Sequence, residues 1–279
     1  MEFVYTTDLH GNKQKYEDVF NFAKEHKVKL IHLGADLLPK GSDMLKLQKS
    51  FVRIYLRSYF LKCKDEGIDV IGFFGNDDAY SRKKFFREYA TLLDETTYMR
   101  DGYNFLAYGY VQDYKFGLKS ACKWDSPDWR CPEPYISEPI EFTDEGRLVI
   151  TDVEDYFRKK GTIEGDLQQI HASRKTIMAI HQPPHNIDLD VCLRVKEVNG
   201  RRIFYEYPVG SKAVYDFIAR EKPLLVLCGH IHENLEATSV WQANIGKTVV
   251  IQPGQNRERT TVVHVAVEEE TVTANLVIL

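Results

Sequence analysis

The chain has 279 residues, 43% apolar and 28% charged, and its 37 basic and 41 acidic side chains leave a formal charge of −4. That apolar share supports a sizeable core, and the charge balance excludes a strongly basic nucleic-acid coat and a polybasic membrane binder. A phosphate-bearing substrate is not excluded, because a local site can oppose the global charge.

Residues 2–6 are a short apolar run leading to Asp8, and 13–26 carry Tyr16, Val19, Phe20 and Ala23 at helical spacing. Residues 28–34 read as a second strand. Residues 43–66 read as a helix, with Leu45, Leu47, Phe51, Ile54, Tyr55, Ser58, Tyr59 and Leu61 in helical period. A third strand at 69–74 and a helix at 81–92 follow. Strands alternating with helices predict a parallel sheet with right-handed crossovers. Residues 103–111 read as a strand, and 119–145, with Trp124, Trp129, four prolines and two cysteines, as an ordered excursion. One or two helices are expected over 153–173, and a strand over 175–180 that stops at His181.

Asn199-Gly200 between two β-rich arms predicts a hairpin over 193–207. A helix at 211–221, a strand at 224–228 and three β runs near 236–242, 247–251 and 260–278 complete the chain. No repeat or low-complexity stretch interrupts it, so one domain over 1–279 is expected, with insertions near 119–145 and 193–207. No apolar stretch reaches the roughly 18 residues of a membrane span. The first residues show neither the basic nor the apolar region of a signal peptide. Cys63, Cys122, Cys131, Cys192 and Cys228 are scattered without a CxxC pair, which predicts free thiols in a reducing cytoplasm.

Reactive side chains gather just after the strands. Asp8 and His10 follow the first, Asp36 the second, Asn76, Asp77 and Asp78 the third, His181 a fourth, and His230 and His232 a fifth. Sites in open α/β sheets form beyond the carboxyl ends of the strands. A lone aspartate there is ordinarily a helix cap or turn residue, and a lone histidine is ordinarily structural. Five successive strand ends with metal-competent side chains reverse that reading. Imidazole and carboxylate together suit Zn, Mn, Fe and similar borderline ions. In an extended tail, Asp8 and His10 share one face, as do His230 and His232. Gly34, Gly75 and Gly229 precede the clusters and allow sharp turns there.

Asp8-Leu9-His10, Gly34-Ala35-Asp36, Gly75-Asn76-Asp77-Asp78, His181 and Gly229-His230-Ile231-His232 resemble, in order, the motifs of the calcineurin-like metallophosphoesterases: DxH, GD or GxD, GNH(D/E), a lone H and GHxH. Pro253-Gly254 is similar to a turn that follows GHxH in many members. The resemblance implies an α/β fold, a four-layered αββα sandwich of two mixed sheets flanked by helices. It implies two divalent transition metal ions (Mn, Fe, Zn or Ni), the first held by Asp8, His10, Asp36 and His232. Asp36, Asn76, His181 and His230 would hold the second, with Asp36 bridging and a metal-bridging hydroxide as the nucleophile.

One position departs from the family pattern. Asp77 stands where a histidine is usual, and Asp78 keeps the acidic position after it. Three accounts of Asp77 stay open: a protonated general acid; an ionised group turned aside while another takes over the histidine's role; or a turn residue. Asp77, Asp78 and His185 are the candidate catalytic residues. Asn12 reads as a cap of the first helix, His32 and His264 as packed strand residues, and His26 and His171 as helix-surface residues. Arg201 and Arg202, near the hairpin tip, read as a solvated pair.

The resulting expectation is a dinuclear metal-dependent phosphoester hydrolase. A diester is favoured, because family members lacking this histidine often act on diesters. The alternatives are a phosphomonoesterase, including a protein phosphatase, and a catalytically silent scaffold of the same fold. The expected partner is a small phosphorylated substrate, with nucleotides among the candidates. Neither a membrane nor a broad nucleic-acid surface is implied, and an oligomer stays open.

Overall fold

A computed structural model describes residues 1–79, 83–93, 96–143, 145–198, 200–255 and 257–279. Strand β1 (Glu2–Thr6), helix α1 (Lys13–Glu25) and strand β2 (Leu30–Leu33) lie where the pattern puts them. Asn12 starts α1 by accepting hydrogen bonds from the Gln14 and Lys15 amides, and Tyr16, Val19, Phe20 and Ala23 form its buried face. The helix expected over 43–66 is α2 (Met44–Phe51), a π-helical turn (Val52–Leu56) and α3 (Arg57–Asp65) in sequence.

After β3 (Asp69–Gly72), the helix expected over 81–92 is only partly realised. Residues 81 and 82 lie outside the described residues, α4 covers Lys83–Arg87, and Thr91–Leu92 is the edge strand β4. Its two residues pair in parallel with Ile71 and Gly72, so pairing at an open sheet edge overrides helical spacing.

Strand β5 (Tyr98–Arg100) was not expected. It pairs with β6 (Tyr103–Tyr108) across Asp101 and Gly102, both left-handed, as an Asp-Gly hairpin turn requires. The excursion that follows is ordered: β7 (Val111–Gln112) pairs with β8 (Cys122–Lys123), and β9 (Ile140–Thr143) with β10 (Gly146–Val149). Two helices, α5 (Val153–Lys160) and α6 (Ile163–Leu167), lead to β11 (Thr176–Ile180).

Strands β12 (Val191–Val198) and β13 (Arg201–Pro208) form the expected hairpin; Gly200 is left-handed, and Asn199 lies outside the described residues. Helix α7 (Lys212–Glu221), capped by Ser211, and β14 (Leu225–Leu227) follow. The tail departs from three β runs. Residues 234–238 form helix α8 (Asn234–Thr238), β15 (Gln242–Ile245) and β16 (Thr248–Ile251) pair, and the last run divides into β17 (Thr261–Glu268) and β18 (Thr271–Ile278). A left-handed Glu269 makes that division.

Two six-stranded mixed sheets result, ordered β18-β17-β1-β2-β3-β4 and β15-β16-β14-β11-β6-β5. Phe3, Tyr5, Ile71 and Val263 of the first pack with Phe105, Ile177, Leu225 and Ile251 of the second. Tyr16 and Phe20 of α1 and Phe60 of α3 cover the outer face of the first sheet; Leu167 of α6 and Phe217 and Ile218 of α7 cover that of the second. The four αββα layers match the expectation. His32 lies in the central layer among the rings of Phe3, Tyr5, Phe73 and Phe105, where burial lowers its pKa to about 3. All five cysteines are free thiols. Among the described residues, no helix is long and apolar enough to cross a membrane.

Candidate metal centre

Strands β1, β2 and β3 run parallel in one sheet, and β11 and β14 run parallel in the other. The loops beyond their carboxyl ends bring the predicted residues together. Asp8, His10 and His232 form one group whose ligand atoms lie within 4.8 Å of one another; Asp36, His181 and His230 form a second; His10, Asp36 and Asp77 form a third.

The backbone reaches this arrangement differently from the extended tails expected. Asp8 (φ 56°), His10 (φ 43°), Asp36 (φ 54°) and His230 (φ 72°) are left-handed, a conformation that costs about 1–2 kcal/mol per non-glycine residue. Leu9 and Ile231 are buried between the paired ligand positions. The glycines serve close approach rather than sharp turns. A Cβ on Gly75 would lie 2.4 Å from Asp36 Oδ1, and one on Gly229 2.3 Å from Thr7 Oγ1. Beyond β16, Gln252 donates to the Ile231 carbonyl (2.8 Å) and the Gln255 amide to that of His232 (3.0 Å), so the Pro253-Gly254 turn braces the last motif.

Each donor is held by neighbours. Asp8 accepts from the Thr7 hydroxyl (2.9 Å) and the His230 amide (3.0 Å). The Asp77 amide donates to Asp36 Oδ1 (2.9 Å), which leaves Oδ2 facing His181 Nε2 at 3.4 Å and His10 Nε2 at 4.0 Å. Asn76 turns Oδ1 toward His181 Nε2 (3.1 Å), because its Nδ2 donates to the Tyr114 hydroxyl (3.0 Å). His10 and His232 bring their Nε2 atoms within 3.0 Å, and His232 Nε2 lies 3.3 Å from Asp8 Oδ1.

The donor set therefore brings carboxylate oxygens and imidazole nitrogens together at shared points, an arrangement that suits cations. The protonation pattern agrees. Burial raises the Asp8 and Asp36 carboxyls, but His232 acting on Asp8 and His181 acting on Asp36 hold both well below the usual carboxylate range. Burial lowers His10 to about 4 and His230 to about 3, keeping both imidazoles neutral. Burial opposes a charge on His181, yet Asp36 draws it up to about 9, so the site demands positive charge.

The candidate catalytic residues occupy different places. Asp77 lies on the wall of a cavity of about 890 Å³ that opens onto the donors, and its carboxylate pairs with Lys40 on that wall. Burial and Asp36 push it up to about 7, against the pull of Lys40. Asp78 is fully buried and accepts from the amides of Gly75 (3.0 Å), Leu37 (3.2 Å) and Leu38 (2.8 Å). It ties the loop after β3 to the loop after β2. Burial and Asp36 raise it to about 8, and those amides oppose the rise. His185 lines the cavity, with Nδ1 3.3 Å from the buried Asp190. Lys40 and Tyr114 were not anticipated. Nothing local distinguishes Lys40, whereas the aromatic density of residues 108–116 was a usable signal for Tyr114.

A family model described as calcineurin-like phosphoesterase matches residues 1–234. A Thermus thermophilus protein, TT1561, is similar in structure, with a TM-score of 0.50 at 16% identity over 98% of this chain and 97% of its own. A dimetal phosphatase from Danio rerio is similar with a TM-score of 0.53 at 10% identity over 99% and 95%. At such identities these likenesses show the fold. No curated protein matches the chain. The family match spans every strand end that contributes to the donor groups, and the chain belongs to the calcineurin-like phosphoesterase family, as a metal-dependent phosphoester hydrolase.

Proposed function

We propose that this chain is a dinuclear phosphodiesterase for small phosphorylated substrates. The supporting observation is that two donor groups meet at one carboxylate, Asp36, whose Oδ2 faces histidines of both. In this reading Asp8, His10, Asp36 and His232 hold one ion, and Asp36, Asn76, His181 and His230 hold the other. Imidazole and carboxylate accept Mn, Fe, Zn and Ni alike. When bound, the ions supply positive charge for the phosphoryl oxygens and acidify a water so that it attacks near neutral pH.

The protein's own groups orient these donors and the substrate. The Asp77 amide and Tyr114 each fix one ligand side chain, and Asp78 fixes the loops that carry them. Lys40 stands at the cavity wall against Asp77, where the family histidine is missing. Of the three accounts of Asp77, the ion pair with Lys40 supports the charge state of the second, although the side chain faces the donors rather than turning aside. In this reading the Lys40 ammonium and the bound ions hold Asp77 ionised against the rise that burial and Asp36 cause. Asp77 positions Lys40, and the ammonium donates to a phosphoryl oxygen in place of the histidine. Because Lys40 and Asp77 offset each other's charge, the centre suits a diester monoanion. His185, on the same cavity, is a substrate contact in this reading.

A panel of aryl esters with added Mn²⁺ tests this reading. The wild type is expected to favour bis(p-nitrophenyl) phosphate over p-nitrophenyl phosphate by roughly tenfold or more in kcat/KM, about 1.4 kcal/mol at the transition state. Preference for the monoester would sink the diester assignment. Asp77→Ala is expected to slow activated and unactivated diesters equally. A larger loss on diesters with poor leaving groups would make Asp77 the general acid instead.

A further inference from the structure

Resting on that hydrolase reading, we propose that Tyr114 and Phe116 form a platform for a planar aromatic group, such as a nucleobase, carried by the substrate beside its phosphoester. The cavity, at about 890 Å³, is far larger than a phosphate and falls in the range of sites that enclose a whole organic ligand. Ring contacts lead out from the donors into it. The His230 and Tyr114 rings have centroids 6.0 Å apart, and Tyr114 meets Phe116 edge-on at 5.4 Å. Phe116 is thus two ring contacts from a ligand position, on the same cavity wall.

Phe116 is nonetheless 51% exposed. An aromatic ring left in water on the wall of a cavity gains free energy when an apolar face covers it. The wall continues through Trp129 and Tyr207, the latter capped by Arg194 at 3.7 Å from its ring centroid. Its cations are already engaged: Lys115 pairs with Glu133 at 3.0 Å, and Arg194 pairs with the same carboxylate. What this wall offers a ligand is therefore π surface. An alkyl or polyol ester has no face to lay on it, whereas a base or other flat ring does.

Calorimetric titration of the metal-loaded protein with adenosine 5′-monophosphate and ribose 5-phosphate isolates this contribution, since the base is what the second ligand lacks. The nucleotide is expected to bind roughly tenfold tighter or more, the usual scale of one stacked base. Phe116→Ala is expected to bring the ratio of affinities close to one, and Phe116→Trp to keep it. Equal affinities in the wild type, or a preference that survives Phe116→Ala, would overturn the platform. Failure of the hydrolase reading has a separate signature, the absence of turnover of every aryl phosphoester with metal supplied.

Discussion

Asp36→Asn is expected to remove bound metal and hydrolysis together. The replacement is nearly isosteric, and its Oδ1 can still accept the Asp77 amide that Asp36 accepts at 2.9 Å. What is lost is the charge that faces both His10 and His181. Outer partners of metal ligands already cost about 10–100-fold in affinity or activity when mutated. If Asp36 is shared by two ions as proposed, its loss is expected to lower kcat/KM by roughly a thousandfold or more. Metal content by mass spectrometry and circular dichroism on the same preparation separate this from unfolding. Two equivalents of metal retained on a folded Asp36→Asn protein would refute the bridging assignment.

Lys119→Met is expected to be the most destabilising conservative change in the excursion. Lys119 and Asp113 are both buried, with Nζ 2.7 Å from Oδ1. The ammonium also donates to the Tyr114 carbonyl and lies 4.3 Å from the Tyr135 ring centroid, and the Tyr135 hydroxyl donates to Asp113 Oδ2 at 2.6 Å. Removing one partner of a buried pair strands the other charge, at about 3–5 kcal/mol. For a chain of this size that corresponds to a drop in Tm of roughly 5–15 °C. The double variant Lys119→Met/Asp113→Asn is expected to regain part of the loss, because no uncompensated charge remains. A single variant that melts within a degree of the wild type would show that the pair contributes little. Tyr114 sits in this network, so the loss also loosens the hydrogen bond that orients Asn76.

The donor residues were legible because each follows an apolar strand run. Parallel strands deliver whatever follows them to one rim, so Asp8, Asp36, Asn76, His181 and His230 could be grouped before any distance was known. Their conformations were less legible. Asp8-Leu9-His10 reads as an extended pair, yet both polar residues are left-handed, because the amide of Asp8 is held by the Ala35 carbonyl and that of His10 by the Asp36 carbonyl. Such long-range bonds leave no local trace. The same holds for Lys40 against Asp77 and Tyr114 against Asn76, which meet across 37 and 38 positions of sequence. The Asp101-Gly102 hairpin is the opposite case, a two-residue signal that the reading of 103–111 as an isolated strand passed over.

Neither of the two proposed ion sites belongs to one sheet. Asp8 and His10 come from the first and His232 from the second; Asp36 and Asn76 come from the first and His181 and His230 from the second. The apolar layer between the sheets is non-directional, so it sets their separation better than their alignment. Ions bound here would act as rivets through both plates, fixing the slide and twist that apolar packing leaves soft. Unfolding would then have to shed them, which couples melting to metal supply: about 2.7 kcal/mol for each ion present at 100 times its Kd. A melting temperature that climbs with added Mn²⁺ and falls with chelator, in a protein with no substrate present, is the expected mark of such a joint. A midpoint indifferent to both would mean that the sheets hold their alignment unaided.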